Sequence, residues 1–402
     1  MGKEIELSTA ITDIAAGPFG SNLKVECFVP SGFPIIDGAN LKGYKVTDNI
    51  TKFVTEEKAR SLSRSIAHRG DVIVTISGTI GQIAYIPEDS LYDEYLCSQR
   101  QFRVSFDSSM VYVPYLVFYF HTFEGQNKIL SFANQTGVPA LSQPLKNFKK
   151  IRLCLPSLQE QRRIASIVET INDKIENNIK INDNLEQQAQ SYFHELFVDN
   201  ADPEWAIGTI SDLGTVVGGS TPSKAKPEYY TESGIAWITP KDLSINKSKF
   251  VSHGENDITE LGLKNSSAAI MPEGTVLFSS RAPIGYIAIA AGEVTTNQGF
   301  KSVVPKPEIG TPFVYFFLKN TLPVIEGMAS GSTFKEVSGS TMKNVPAVIP
   351  DAETLAKFSD FCAPIFAQQR ILEEQNQSLA TLRDNLLPKL MSGEIDVSAV
   401  QL

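Results

Sequence analysis

The chain has 402 residues and a formal charge of −9, long enough for two or three domains that each bury a core. With 42% hydrophobic and 20% charged residues it is globular rather than disordered. No run approaches membrane-span length and the start, MGKEIELSTA, is too polar for a signal peptide, so a cytoplasmic location is expected.

Residues 1–155 carry a net charge of +1. They contain short β-rich runs bounded by Gly or Pro, Asp71–Ser77 and Gly81–Pro87, and an aromatic run, Val113–Phe120, that reads as a buried helix. Residues 156–199 carry −4, and from Ser157 to Phe197 they hold neither Gly nor Pro. Apolar residues recur there at spacings of three and four, including Ile164, Ile171, Ile175 and Leu185, with Asn178 and Asn182 inside the same stripe. Ser157 with Glu160 is a capping box, so one long helix is expected.

Residues 200–350 carry −2 and resemble residues 1–155 in pattern, with a β-run at Gly274–Ser280 and an aromatic run at Thr311–Leu318. Residues 351–402 carry −4 and show a second seam through Leu372, Asn376 and Leu379. Pro364 lies inside it, so a kink or break is expected there. Eight of the nine net negative charges therefore lie in the two helical segments.

The chain is an internal duplication. Ile35–Leu41 matches Trp237–Leu243, 202 positions on; Gly70 and Gly81 match Gly274 and Gly285, 204 on. Ser98-Gln99 matches Asn297-Gln298 at 199, and Pro156, Ile171, Asn182 and Leu185 find counterparts at 194. A slowly drifting offset is what small loop insertions produce. The expected fold is α+β: two similar β-rich globules of mixed α/β content, separated by two long antiparallel coiled-coil helices in a pseudo-two-fold repeat. An Asn in each seam would fix the register.

Catalytic and metal motifs are missing. No GxxxxGK[ST], HExxH or G-x-S-x-G occurs. The cysteines Cys27, Cys97, Cys154 and Cys362 form no CxxC pair or Cys/His cluster. The histidines His68, His121, His194 and His253 show no carboxylate neighbour at catalytic spacing, and Gly218–Pro222 reads as a turn. No metal site is expected.

Two variable globules alternating with two similar long helices resemble the DNA-specificity (S) subunit of type I restriction-modification enzymes. The motifs that carry this are Leu155–Ala165, opening the first helix, and Leu387–Ile395, closing the second, with Phe278–Gly285 and Asn297–Lys301 in the second globule. The second helix start, Asp351–Leu355, departs from the pattern by lacking the Gln-Glu-Gln-Arg signature.

The resemblance implies target-recognition domains at 1–155 and 200–350 and spacer helices at 156–199 and 351–402, the last with a C-terminal tail. It implies a non-catalytic subunit in which each globule reads one half of a bipartite site in double-stranded DNA. The helices would set the spacer and dock two modification (methyltransferase) subunits. S-adenosylmethionine and ATP/Mg would belong to the modification and restriction partners, with no cofactor on this chain and no membrane.

The first candidates for DNA contact are loop cations. In the first globule these are Lys42, Lys45, Arg60, Arg64 and Arg69; in the second, Lys241, Lys247, Lys249, Arg281 and Lys335. Ordinary solvated charge is the alternative for each. Gln99 and Gln298 read either as base readers or as holders of loop backbone. Arg281 precedes a Pro-Ile-Gly turn where the matching loop has Gly78-Thr79, a place where differing targets would require a difference. The alternatives to the whole reading are a coiled-coil protein-interaction adaptor without DNA binding, and the specificity subunit of a related system with a fused methylase-nuclease partner.

Overall fold

Why two similar halves share one chain is visible in the strand registers. The computed structural model describes residues 2–134, 137–331 and 335–400. They group into unit 1, which runs to Lys174 and resumes at Leu379, and unit 2, Ile175–Ser378.

In unit 1 an antiparallel sheet orders its strands Ile11–Ala16, Gln101–Phe106, Val72–Thr75 and Ile83–Tyr85. A second sheet orders Phe53–Val54, Phe33–Ile36, Glu94–Cys97 and Ile66–His68. Unit 2 repeats the first sheet with Gly214–Gly218, Lys301–Pro305, Val276–Ser280 and Ile284–Ala290, and adds Phe250–Val251 at the edge. The parallel pairs Ile35–Leu96 and Ile36–Cys97 of unit 1 recur in unit 2 as Trp237–Thr295 and Ile238–Thr296. The shifts, 202 and 199 residues, are those of the sequence matches. The duplication is therefore structural.

The two aromatic runs are buried helices, Val113–His121 and Thr311–Met328. Tyr115 to Phe120 are all buried on the unit 1 sheet, and Phe313, Phe316 and Leu318 fill the corresponding core of unit 2.

The long helices span Leu158–His194 and Ala352–Ser392. The first starts at the expected capping box: the Ser157 N–H donates to Glu160 at 3.0 Å, and the Glu160 N–H donates to the Ser157 hydroxyl at 3.3 Å. The second starts on Asp351, which accepts from the Thr354 N–H at 2.9 Å. Of the expected kink or break at Pro364, the break is corrected, because the helix is continuous from Ala352 to Ser392. Pro364 and Asp360, whose carbonyl loses its intrahelical partner, are both exposed, so water can take the orphaned oxygen.

Within unit 2 the helices run antiparallel. Asn178 donates to Asn376 at 2.9 Å, Gln369 to the Asn182 carbonyl at 3.2 Å, and the Tyr192 and Phe361 rings lie 4.4 Å apart. Within unit 1 Arg383 donates to Asn172 at 3.1 Å, while Ile164, Val168, Leu387 and Leu390 share one core. Of the expected seam, Ile164, Ile171 and Leu372 are buried, and Ile175, Asn182, Leu185, Asn376 and Leu379 are half-buried.

The seam is polar at its middle. Asn178 is fully buried, and its Oδ1, like that of Asn182, has no hydrogen-bond partner among the described residues. Asn376→Ala leaves the Asn178 amide only the long contact to Gln375 at 3.5 Å and is expected to cost about 1–3 kcal/mol, whereas replacing both Asn178 and Asn376 by Leu is expected to be neutral or stabilising. Urea unfolding of the full chain measures both.

Candidate nucleic-acid interface

The matched loops build the same local scaffold in each unit. In unit 1 Asp37 caps a short turn, accepting from the Ala39 N–H at 2.9 Å. Buried Asn40 accepts from the Asp37 N–H at 3.0 Å and donates to the carbonyls of Thr47 and Asn49. In unit 2 the equivalent Asp242 accepts from the Thr239 N–H at 2.7 Å and from the Glu255 N–H at 2.8 Å.

Gln99 and Gln298 tie down the loop after the first sheet strand. Gln99 Nε2 donates to the Leu23 carbonyl at 2.5 Å and more weakly to Gly20 at 3.4 Å, while Gln298 Oε1 accepts from the Thr221 hydroxyl. Gln99 thus holds loop backbone, whereas Gln298 meets a side-chain hydroxyl of the matching loop.

In unit 1 these loops enclose an open cleft of about 580 Å³, lined among others by Asp37, Lys52, Ser77, Thr79, Gln99 and Arg100. Its one carboxylate, Asp37, is paired with Lys52 at 2.6 Å and held below the usual range: burial pushes it up, and Lys52 and the capped turn more than offset this. Arg100 is exposed and its guanidinium has no hydrogen-bond or ion-pair partner among the described residues. In unit 2 the matching side carries Arg281 and Lys301, at 3.5 and 3.8 Å from the shared Glu336.

The remaining candidate cations are not all in loops, since Arg60 and Lys241 lie on the short helices Glu56–Ser61 and Pro240–Ile245 and Arg64 on a 3-10 turn; they divide by whether an acid already claims them. Arg60 grips Glu94 through both carboxylate oxygens, at 3.1 and 2.6 Å, and Glu56 at 2.8 Å. Arg69 meets Asp93 at 3.0 Å and the Ser90 carbonyl at 2.7 Å, and Lys241 meets Glu255 at 2.6 Å. Lys42 and Arg64 are exposed, Lys247 lies 4.5 Å from the Tyr286 ring centre, and Lys335 is exposed beside Pro283 and Glu326.

Lys249 corrects its expectation outright. Its side chain is only 6% exposed, donates to Glu186 at 2.8 Å and to Gln369 at 2.9 Å, and lies over the Phe366 and Tyr315 rings at 3.5 and 4.4 Å. No loop phosphate can reach it. By the strand registers Tyr44 is the equivalent of Lys249, since the parallel bridge Lys45–Tyr85 in unit 1 matches Phe250–Ile289 in unit 2, and Lys45 takes the place of Phe250. It faces Asp173 of the first long helix at 3.3 Å with 31% of its side chain exposed. Both lysines thus turn toward the helices, not toward the loops. Two histidines also correct the sequence reading, since His68 lies 3.3 Å from Glu94 and His253 3.5 Å from Asp257.

Sequence reasoning missed Arg100, although a signal existed. The matched pair Ser98-Gln99 and Asn297-Gln298 is followed at once by Arg100 in one half and Gly299 in the other. Among the described residues no group of His, Cys, Asp and Glu is placed to hold a metal, and no helix is long and apolar enough to cross a membrane.

The family described as the type I restriction modification DNA specificity domain matches this chain twice, over residues 29–187 and 203–382. The chain belongs to that family. The two matches each take in most of one globule and most of the helix that follows it. The type I restriction enzyme MjaIX specificity subunit of Methanocaldococcus jannaschii is 39% identical over 194 residues, 46% of this chain and 45% of that one, so the match spans about half of that relative. The HindI specificity subunit of Haemophilus influenzae is 22% identical over 392 residues, 78% of this chain and 84% of its own. The S subunit of a type I restriction-modification system from M. genitalium shares the fold, with a TM-score of 0.59 at 16% identity over 96% of this chain and 95% of that one.

Proposed function

We propose that the chain is the non-catalytic DNA-specificity subunit of a type I restriction-modification complex, each globule reading one half of a bipartite site in double-stranded DNA. The observation that carries this is the pair of equivalent scaffolds with different residues at the cleft: Arg100 stands against Gly299, and Arg281 against Gly78-Thr79. A common frame with variable polar tips suits readers of two different base sequences. Family membership supports the same assignment.

The acidic long helices are repelled by DNA and so suit spacing and the docking of two modification subunits. Those partners would supply S-adenosylmethionine and methylate adenine; restriction subunits would bring ATP and Mg, and the assembly would work in the cytoplasm. The chain itself would bind no cofactor.

The test is salt-dependent binding of duplex DNA by the full chain together with its modification subunits. Affinity should fall linearly on a log–log plot with a slope near −0.9 per phosphate contact, and Arg100→Ala should cost about 1–3 kcal/mol and relax the base preference at one position of the first half-site. No binding at any salt would favour the adaptor without DNA.

A further inference from the structure

We propose that Phe19 of the first globule reads the C5-methyl group of a thymine in its half-site. This rests on the reading that the globule binds DNA. Phe19 is 85% exposed, in a loop that also exposes Val25 at 80%.

An exposed aromatic on a slack loop would mean little, but this loop is held on every side. The Gly17 N–H donates to the Gln101 carbonyl at 2.8 Å, and a Cβ at Gly17 would lie 1.8 Å from the Ser98 carbonyl oxygen, so no other residue fits there. The Phe19 carbonyl accepts from the Asn22 N–H at 2.7 Å, Gln99 grips the Leu23 carbonyl, and the Leu23 side chain is buried at 3% exposure. The fold therefore spends a rigid anchor on keeping a phenyl ring in solvent, which is the mark of a contact surface.

The surroundings select the partner. Lys24 is exposed on the same loop, and Arg100 follows Gln99 into the cleft that Leu23 and Val25 also line. The one carboxylate lining that cleft is neutralised by Lys52. Phe19 adjoins this cleft through Gly20, where a Cβ would lie 3.4 Å from Gln99 Oε1. An apolar tip beside amides, hydroxyls and a guanidinium without a partner among the described residues complements a major-groove edge, where hydrogen-bonding groups flank a single apolar group, the thymine methyl. The equivalent loop of the second globule, Gly219–Lys226, holds no aromatic residue. The device thus belongs to one half-site.

The experiment replaces each thymine of the first half-site in turn by uracil, which deletes only the methyl. Binding is measured with the full chain and its modification subunits. One position should weaken wild-type binding about fourfold, the effect of losing one buried methyl-sized group. Phe19→Ala, at an exposed position that leaves the core untouched, should weaken binding of the thymine duplex and be indifferent to uracil at that position. Uniform tolerance of uracil, a half-site without thymine, or Phe19→Ala that still senses the substitution would each overturn the proposal. So would a rise in 2-aminopurine fluorescence beside an insensitive thymine, because that marks a wedge between base steps. Failure of the wild-type complex to bind any duplex at low salt sinks the DNA reading instead.

Discussion

Glu186→Gln is expected to destabilise unit 2 by about 3–5 kcal/mol, because it leaves a buried ammonium without its counter-charge. Glu186 receives Lys249 at 2.8 Å, Lys319 at 2.5 Å and the Tyr315 hydroxyl at 3.1 Å. Around Lys249 the helix contributes Phe366, Gln369 and Glu373, the last accepting from the backbone N–H groups of Lys249 and Phe250. Burial pulls the Lys249 ammonium down to about 8 against the pull of Glu186, so removing that pull drives it further toward the neutral form. Adding Lys249→Met to Glu186→Gln should therefore recover part of the loss, a non-additivity read by a double-mutant cycle in urea. Lys45→Met, which removes the solvated pair with Asp173, is expected to cost about 1 kcal/mol or less. A Glu186→Gln chain as stable as the wild type would show that the buried pair contributes nothing.

The same cluster sets an acid limit. Burial raises the Glu186 carboxyl, but Lys249 and Lys319 overcome it and hold the group at about 2, from an ordinary value of 4.5. A depressed carboxylate stabilises the fold above its unfolded value and loses that stabilisation as pH falls toward the folded one. Unit 2 should then lose about 3 kcal/mol between pH 4.5 and 2 through this group. Glu186→Gln should remove that part of the pH dependence.

Exchanging residues 1–155 for another globule of this family is expected to change one half of the recognised site and leave the other half unaltered. The piece closes on itself: its first strand, Lys3–Glu6, pairs in register with its last, Arg152–Leu155. Mapping methylated adenines in a genome carrying the chimera reads the outcome. Changes in both halves would mean that the globules are not independent readers.

How far the sequence carried depends on how local each signal is. The repeat was legible because Ile35, Gly70 and Ser98 keep their order against Trp237, Gly274 and Asn297, and the strand registers follow the same offsets. The long helices were legible from the seam through Ile164, Ile171 and Leu185, which needs only spacing along one segment. Lys249 was misread because its burial comes from Glu186, Tyr315 and Phe366, which are far away in the chain. Arg60 and Arg100 look alike as loop arginines; only the fold brings Glu94 to the first and leaves the second without an acid among the described residues. Pro364 does not break the helix because its orphaned carbonyl, at exposed Asp360, faces water.

Lys45 and Lys249 occupy neighbouring rather than equivalent positions, and their unequal seating against the helices bears on how new specificities arise. A cation that meets Asp173 in solvent tolerates small errors of placement, so an incoming first globule can be grafted with its own version of that contact. The second globule seals its lysine among Tyr315, Phe316 and Lys319 of its own and Glu186, Phe366, Gln369 and Glu373 of the helices. A foreign replacement there arrives without half of the lock. Recombination should thus diversify the first half-site freely, while changes to the second travel with matching segments of both helices.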